Sequence, residues 1–165
     1  MEVKDCIQTR QSCRSYFQKT VEREKLEYIL SGARLAPSAR NRQPWKMYVV
    51  TGEEKSKPVR AALQKDGFNA FLDNVTTYIA IVDQLNDENR FVRYDVGELT
   101  AYITLLAKDC GLETCIIGWI EKEQLKTALG YSENEDCNIV VALGYSDAPL
   151  RPKTRKTESE TIVWL

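Results

Sequence analysis

Two arginines and a serine near the amino terminus are spaced to bind an anion. The run Arg10-Gln11-Ser12-Cys13-Arg14 sets two guanidinium groups around a hydroxyl, where a short first helix gives way to extended chain. Each guanidinium offers N–H donors that can chelate phosphate or carbonyl oxygens. A solvated pair of surface arginines would have the same sequence, so it remains the alternative to an oxygen-rich ligand.

A second candidate binding segment is the loop that joins a predicted helix to a predicted strand. Its sequence is Pro37-Ser38-Ala39-Arg40-Asn41-Arg42-Gln43-Pro44-Trp45. Prolines, cations and side chains that form local hydrogen bonds are combined in one short stretch. This composition favours a fixed loop that holds a ligand, and an ordinary turn punctuated by prolines is the alternative.

Two later segments complete a set of four. Gly111 to Trp119 follows the clearest predicted helix and contains Gly118, and Lys153-Thr154-Arg155 adds two cations near the carboxyl terminus. The four segments resemble, in the same order, the R-x-S-x-[RK], P-S-x-x-N-x-Q-P-W, G-L-x-[ST]-x-x-x-G-[WF] and K-x-R motifs of the FMN-dependent nitroreductase family. The resemblance covers nearly the whole chain.

The resemblance implies which residues bind FMN. They are Arg10, Gln11, Ser12, Arg14, Pro37, Ser38, Ala39, Asn41, Gln43, Asn69, Cys115, Ile116, Ile117, Gly118, Lys153 and Arg155. In the family the first cation and the serine meet the phosphate and ribityl chain, and the backbone near the second glycine approaches flavin N5. By the same resemblance Arg14 faces the N1–C2=O edge of the flavin as electrostatic support, and no side chain acts as a catalytic acid or base.

The resemblance also implies a fold and an assembly. We expect an α+β fold with a central mixed or antiparallel sheet flanked by helices, and a homodimer with two FMN sites at its interface. The Pro37 to Trp45 loop would serve the flavin of the other subunit. The apolar tail from Thr161 to Trp164 would be exchanged as a strand that extends the partner's sheet, unless it packs back on its own subunit.

The implied activity is that of an NAD(P)H oxidoreductase. NADH or NADPH would reduce flavin N5, leave, and be replaced on the same face by a nitroaromatic, a quinone or a similar small conjugated acceptor. Two alternatives stay open: a non-catalytic flavin-binding protein, and an α/β interaction domain without a cofactor. The sequence does not choose between NADH and NADPH.

Two departures from the family pattern bear on the site. Asp73-Asn74-Val75 stands where family members often carry D-A-P, which affects the placement of Asn69. At 165 residues the chain is shorter than the better-known nitroreductases, so we expect less helical material over the substrate pocket. The identity of the acceptor is therefore open.

Composition excludes several classes of protein. A chain of 165 residues with 43% hydrophobic content suits one domain over residues 1–165, with 147–165 as a carboxyl-terminal arm. A formal net charge of -1 argues against a general nucleic-acid binder, and no apolar run is long enough for a membrane span. Five cysteines without a C-x-x-C pair fit reduced thiols, so we expect a cytoplasmic protein.

The chain contains no histidine, which removes the usual general base and the commonest nitrogen ligand for metals. Asp83, Asp87 and Glu88 could form a carboxylate metal site, but their stretch reads more simply as a solvated loop, and we expect no metal. The glycines form neither a Rossmann fingerprint nor a P-loop. A phosphorylated cofactor would therefore be met by cationic and hydroxyl side chains.

Hydrophobic periodicity predicts the elements that position these segments. Asp5–Thr9 is expected to form the end of a short first helix. Further helices are expected after Thr20, ending before Pro37, and over Glu53–Lys65, Tyr94–Cys110 and Glu121–Leu129, with Gly111 and Gly130 as stops. Strands are expected over Trp45–Thr51, Thr76–Val82 and Asn138–Leu143, while Leu112–Ile120 is a largely apolar run broken by Gly118. A doubly wound parallel fold is the structural alternative.

Overall fold

Four antiparallel strands form the sheet at the centre of the fold. A computed structural model describes residues 1–84 and 90–165. The strands are β1 (Trp45–Thr51), β2 (Thr77–Gln84), β3 (Glu113–Ile117) and β4 (Glu135–Gly144), in the spatial order β1-β2-β4-β3. Every pair of neighbouring strands is antiparallel. The predicted α+β class is confirmed, and the doubly wound parallel alternative is wrong.

Helices cover both faces of the sheet. They are α1 (Val3–Thr9), α2 (Arg23–Ala33), α3 (Glu53–Leu63), α4 (Val92–Asp109), α5 (Lys122–Leu129) and α6 (Glu158–Thr161). Side chains of β2 alternate between two buried clusters, with Ile79 and Ile81 facing α2 and α4, and Tyr78 and Ala80 facing α3 and α5. A strand covered on both faces has no polar side, which explains the continuous apolar run in β2.

Two glycines fix helix positions. An ideal Cβ at Gly32 would lie 2.7 Å from Leu106 Cδ1, so the glycine permits the close approach of α2 and α4. Gly130 has φ 72 and donates its N–H to Lys126 O at 2.7 Å, which ends α5 in the left-handed conformation that glycine adopts without strain. The predicted stop at Gly130 is confirmed.

The amino-terminal segment lies on the outer edge of β3. Ser12 forms an isolated parallel bridge with Thr114, and the Cys13 N–H donates to Thr114 O at 2.8 Å. This contact covers part of an otherwise open sheet edge. The amino-terminal motif is thereby attached to the sheet next to the strand that precedes Gly118.

Several element boundaries differ from those predicted. β4 begins at Glu135 rather than Asn138, because β2 continues to Gln84 and pairs with it after a register shift. α3 ends at Leu63 rather than Lys65, because a separate 3-10 turn follows in which Asp66 has φ 57. Part of the predicted Gln84 to Arg90 loop, including Asp87 and Glu88, lies outside the described residues.

The carboxyl-terminal tail differs from the predicted extended strand. Thr161 belongs to α6, which begins with a capping box between Thr157 and Glu160. The last four residues are exposed, and 91% of the Trp164 surface is accessible to solvent. Strand exchange with a second copy stays a prediction, because a single chain does not test it.

We predict that Leu99→Ala lowers the free energy of unfolding by about 2–5 kcal/mol. Leu99 lies on α4 with 0% of its surface exposed, in the cluster between α4 and the sheet, so truncation leaves a cavity. Urea unfolding at a fixed protein concentration measures the change. Glu98→Ala, at the exposed neighbouring position, should change the value by less than about 0.5 kcal/mol. Equal effects of the two substitutions would contradict the packing described.

Candidate functional site

The carboxyl-terminal arm runs alongside the amino-terminal motif. Gln11 Nε2 donates to Pro149 O at 3.2 Å, and its Oε1 accepts the Arg151 N–H at 3.1 Å. The Arg151 side chain donates through Nη2 to Ser12 O at 3.3 Å. These contacts bring together two segments that are about 140 positions apart in the sequence. The cations of both motifs therefore face one volume.

A cavity of about 250 Å³ opens between these segments. It is lined by Arg10, Gln11, Ser12, Arg14, Arg151, Pro152, Lys153, Thr154 and Arg155. Within the described part of the chain, the charged residues of this lining are all cations. We call this cavity the basic pocket. All of the amino-terminal and carboxyl-terminal residues predicted to bind the cofactor line this pocket.

The pKa of one lysine of the basic pocket is lowered. Partial burial, and then the neighbouring charges of Arg10, Arg155 and Lys108, lower the pKa of Lys153. Its ammonium group donates to Ile7 O at 2.7 Å. Because a lowered pKa means that the charged form is disfavoured here, an anion in the basic pocket would relieve the repulsion.

Arg151 is a residue of the basic pocket that the motif comparison missed. The K-x-R motif identifies only Lys153 and Arg155, yet Arg151 both lines the pocket and holds Ser12 by a hydrogen bond. The alternation of cations at positions 151, 153 and 155 was visible in the sequence. In an extended segment this spacing places side chains on the same side, and it could have indicated the third cation.

Side chains of β3 near the basic pocket alternate between buried and exposed positions. Cys115 and Ile117 point into the core between the sheet and α3/α5, while Ile116 keeps 41% of its surface exposed. Burial raises the pKa of the Cys115 thiol although Arg14 opposes the shift, so the thiol is protonated at neutral pH. Because the side chains of Cys115 and Ile117 are buried, only the backbone of these residues is available to a ligand.

Gly118 leaves an open surface at the end of β3. It is exposed, and the nearest neighbour that an ideal Cβ would meet is Asn138 O at 3.8 Å. Packing within the described chain therefore does not require a glycine at this position. Close approach of a ligand to the backbone is a physical reason for the missing side chain.

Asn69 lies in a segment adjacent to the amino-terminal motif. The guanidinium Cζ of Arg14 lies 5.9 Å from the centre of the Phe71 ring, which joins the two segments. The Asn69 side chain donates from Nδ2 to Leu63 O at 2.8 Å, and its backbone has φ 56. The amide is thus used at least in part to fix its own segment.

The loop from Pro37 to Trp45 is fixed by its own hydrogen bonds. The Gln43 N–H donates to Ser38 Oγ at 3.0 Å, and Gln43 Nε2 donates to Asn41 O at 3.1 Å. The Ala39 N–H donates to Asp95 Oδ1 at 3.0 Å, which attaches the loop to the first turn of α4. Positive φ values at residues 40, 41 and 43 distinguish it from an ordinary turn.

In one chain this loop and the basic pocket lie at opposite corners of the sheet. Strand registers align Thr114, the bridge partner of Ser12, with Leu143, Thr77 and Thr51. The loop enters at Trp45, at the other end of β1 and across the full width of the sheet. At roughly 3.3 Å per residue the length of β1 alone separates them by on the order of 20 Å. The structure therefore does not bring the predicted loop residues to the predicted phosphate residues.

No group of three or more His, Cys, Asp or Glu residues that could hold a metal is found within residues 1–84 and 90–165. Asp83, the one described member of the carboxylate set, is largely buried, and burial raises its pKa. None of the helices in the described ranges has both the length and the apolar character needed to cross a membrane.

Comparison with known proteins agrees with the motifs. The model of the Nitroreductase family matches residues 7–145. A protein of Archaeoglobus fulgidus with the provisional name NADH dehydrogenase/NAD(P)H nitroreductase is 33% identical over 146 residues, which span 84% of this chain and 82% of that protein.

Solved structures show the same fold. A nitroreductase family protein from Clostridium difficile 630 superimposes with a TM-score of 0.85 at 23% identity, over 99% of this chain and 98% of that one. An FMN-dependent nitroreductase from Clostridium difficile R20291 gives a TM-score of 0.80 at 26% identity, over 96% of each chain. The family match, the relative and the shared fold lead to one conclusion: this chain belongs to the nitroreductase family.

Proposed function

We propose that this chain is an FMN-dependent NAD(P)H oxidoreductase that reduces nitroaromatics, quinones or similar small conjugated acceptors by a ping-pong hydride mechanism. The observation that carries the proposal is the basic pocket, to which both ends of the chain contribute cations. Family membership supports an oxidoreductase. The names of the R20291 structure and the A. fulgidus relative support FMN and NAD(P)H, respectively.

The donors of the basic pocket fit a phosphate monoester such as that of FMN. A phosphate carries about −1.5 to −2 charges at pH 7 and offers three strong acceptor oxygens. Arg10, Ser12, Lys153 and Arg155 would hold it, and Arg151 would keep Ser12 in place from the other side. Side chains thus replace the glycine-rich turn that the sequence lacks.

The remaining site residues would border the flavin ring. When bound, FMN would supply the redox chemistry, which is the transfer of a hydride from NADH or NADPH and of electrons to the acceptor. Arg14 lies between the basic pocket and Phe71, where its charge would stabilise negative charge on the ring edge. Gly118 leaves the backbone open to the ring, and the chain, which has no histidine, contributes position and electrostatics.

The open surface beside β3 favours one alternative, a non-catalytic flavin-binding protein of the same fold. Ile116 and Phe68 keep 41% and 54% of their surfaces exposed near the candidate site. A shallow acceptor pocket would hold its substrate poorly, because less of the substrate's surface leaves water. Reaction of the bound flavin with nicotinamides distinguishes the two functions.

We further propose a homodimer of single domains spanning residues 1–165, with 147–165 as an arm that reaches the partner. Three observations support it. The loop from Pro37 and the basic pocket are too far apart in one chain to share a flavin, so a second copy would have to supply one of them. The tail after Thr161 is apolar and exposed. Large side chains on α1 and α4, including Val3 and Tyr94, are also exposed.

A cytoplasmic location is part of the proposal. All five cysteines are free thiols, and Cys6, Cys13 and Cys137 are among the buried ones. Unpaired cysteines suit a reducing compartment, because an oxidising one would favour disulfides.

The proposed function predicts a yellow protein whose visible flavin absorbance is bleached by NADH or NADPH without oxygen, and restored by a nitroaromatic or a quinone. An anaerobic absorption spectrum recorded before and after each addition makes the measurement. A yellow protein that neither nicotinamide bleaches would support the non-catalytic alternative. A colourless protein that fails to bind added FMN would contradict both the oxidoreductase and the non-catalytic flavin-binding function.

We predict that Lys153→Gln weakens FMN binding about tenfold or more, because it removes a charged hydrogen-bond donor worth about 1.5–3 kcal/mol. Calorimetric titration with FMN measures the affinity. Lys156→Gln is the matched control, since Lys156 carries the same charge and is exposed but does not line the basic pocket. The control should change the affinity by no more than roughly twofold.

Lys153→Gln also tests how the charge of Lys153 affects the free energy of unfolding at different pH values. Because the pKa of Lys153 is lowered, the folded protein binds its proton less tightly than the unfolded chain. The charge therefore opposes folding at neutral pH, and this cost disappears as the pH rises past the ordinary lysine range. Without FMN, the stability of Lys153→Gln relative to wild type should therefore be higher at pH 7 than above that range. An equal difference in the free energy of unfolding between the two proteins at pH 7 and pH 11 would contradict the electrostatic account.

We predict that Trp164→Ala weakens the dimer by about 2 kcal/mol, roughly thirtyfold in dissociation constant, if the exposed ring is buried against the partner. Sedimentation equilibrium measures the constant. Ser159→Ala, an exposed change on α6 that removes little apolar area, should leave it unchanged. A wild-type protein that stays monomeric at micromolar concentration would remove the basis for the exchanged arm.

A further inference from the structure

The side chain of Gln11 uses both ends of its amide on the backbone of the carboxyl-terminal arm. Its Nε2 donates to Pro149 O at 3.2 Å, and its Oε1 accepts the Arg151 N–H at 3.1 Å. The amide therefore pairs with the arm much as a peptide group of a neighbouring strand would. Arg151 in turn donates from Nη2 to Ser12 O at 3.3 Å. We call these reciprocal contacts of Gln11 and Arg151 the clamp.

In the described chain, few other contacts hold this part of the arm on the amino-terminal segment. Every residue from 149 to 165 is exposed, so no buried apolar side chain anchors it. Outside the clamp, Lys153 Nζ donates to Ile7 O at 2.7 Å. Segments without buried apolar contacts open locally at a low cost in free energy. Docking of the arm therefore depends on a small number of hydrogen bonds.

The charges of the basic pocket oppose this docking. Arg10 and Arg14 lie on the amino-terminal side of the pocket, while Arg151, Lys153 and Arg155 belong to the arm. Partial burial, followed by the charges of Arg10 and Arg155, lowers the pKa of Lys153, so its charged form is disfavoured. An anion between the two sides would offset the repulsion, because the cations of each side would then face a negative charge.

We propose that Gln11 is a positioning residue, which holds the cationic arm on the basic pocket, and that a phosphate group and the arm bind to the pocket cooperatively. This inference rests on the proposed function, in which the phosphate is that of FMN. Three of the five cations that line the pocket belong to the arm, so the anion binds most tightly when the arm is docked. By linkage, the bound anion stabilises the docked arm by the same factor.

This role differs from the one that the family resemblance implies, in which Gln11 contacts FMN. Both ends of the Gln11 amide are occupied by the arm, at Pro149 O and the Arg151 N–H. Gln11 thus acts on the phosphate through the cations that it positions. A direct ligand would affect the affinity for phosphate alone, whereas a positioning residue also affects the arm when no ligand is bound.

Limited trypsin digestion of the full-length protein, prepared free of flavin, measures docking of the arm. The arm contains cleavage sites after Lys153, Arg155 and Lys156, and cleavage after Lys55 on α3 serves as the internal reference. Inorganic phosphate at about four times its dissociation constant should slow cleavage in the arm about fivefold, compared with chloride of the same ionic strength. FMN should protect the arm in the same way, and riboflavin, which lacks the phosphate, should not.

Gln11→Met keeps the length of the side chain and removes both hydrogen-bonding groups. Without ligand it should speed cleavage in the arm about five- to tenfold, and in calorimetry it should weaken phosphate and FMN binding by a similar factor, although it removes no charge. Gln8→Met is the matched control, because Gln8 is exposed on α1 and does not line the basic pocket. The control should change neither quantity. Weaker binding by Gln11→Met with unchanged cleavage of the ligand-free arm would mean a direct ligand and would overturn the proposal.

A double-mutant cycle gives a second readout. Arg151→Gln removes a charge but keeps the backbone N–H that Gln11 accepts. It should cost less phosphate affinity in the Gln11→Met background than in wild type, because the arm is already released there. Additive losses in the double variant would contradict the clamp.

The outcomes separate this proposal from the proposed function. If phosphate protects the arm of a protein that does not bind FMN, the clamp stands and the proposed function is overturned. If FMN binds and is bleached by NAD(P)H, while neither phosphate nor Gln11→Met changes cleavage of the arm, the clamp alone is overturned.

Discussion

The candidate site depends on one backbone contact, the bridge between Ser12 and Thr114 with the hydrogen bond from the Cys13 N–H at 2.8 Å. It attaches the amino-terminal motif to the outer edge of β3. Together with the hydrogen bonds of Gln11 to the carboxyl-terminal arm, it fixes the arginines of the motif relative to Gly118. The bridge also gives Arg151 a fixed carbonyl, Ser12 O, to which it can donate.

This arrangement places cations together at a cost that the fold partly offsets. Partial burial, followed by the neighbouring charges of Arg10 and Arg155, lowers the pKa of Lys153, so the charged form of this lysine is disfavoured in the pocket. Hydrogen bonds from Lys153 to Ile7 O and from Arg151 to Ser12 O hold the charges in place nevertheless. Local violation of electrostatic consistency is expected where a ligand supplies the missing countercharge. The proposed phosphate site is such a place.

Much of the fold could be predicted from local sequence. The 3.6-residue spacing of Leu26, Ile29 and Ala33 identified α2, and the β-favouring run from Trp45 gave the limits of β1, because these signals are carried by neighbouring residues. The parts that were missed depend on distant contacts. Arg151 joins the pocket only because the arm packs on Gln11, and Phe68 meets Trp119 across about fifty residues. No local pattern encodes such pairs.

The positions of the loop and the pocket show why the sequence could identify the residues of the site but not their arrangement in space. The family resemblance grouped Ser12 with Lys153, and both line the basic pocket, yet the register of β1 keeps the Pro37 loop at the far corner of the same sheet. The loop forms hydrogen bonds within itself and to Asp95, so its conformation is fixed without a ligand. Rigid parts at opposite corners cannot be joined by closure within a chain, whereas a twofold axis brings unlike corners together without moving either. The proposed dimer would therefore complete the site, rather than only bury apolar surface.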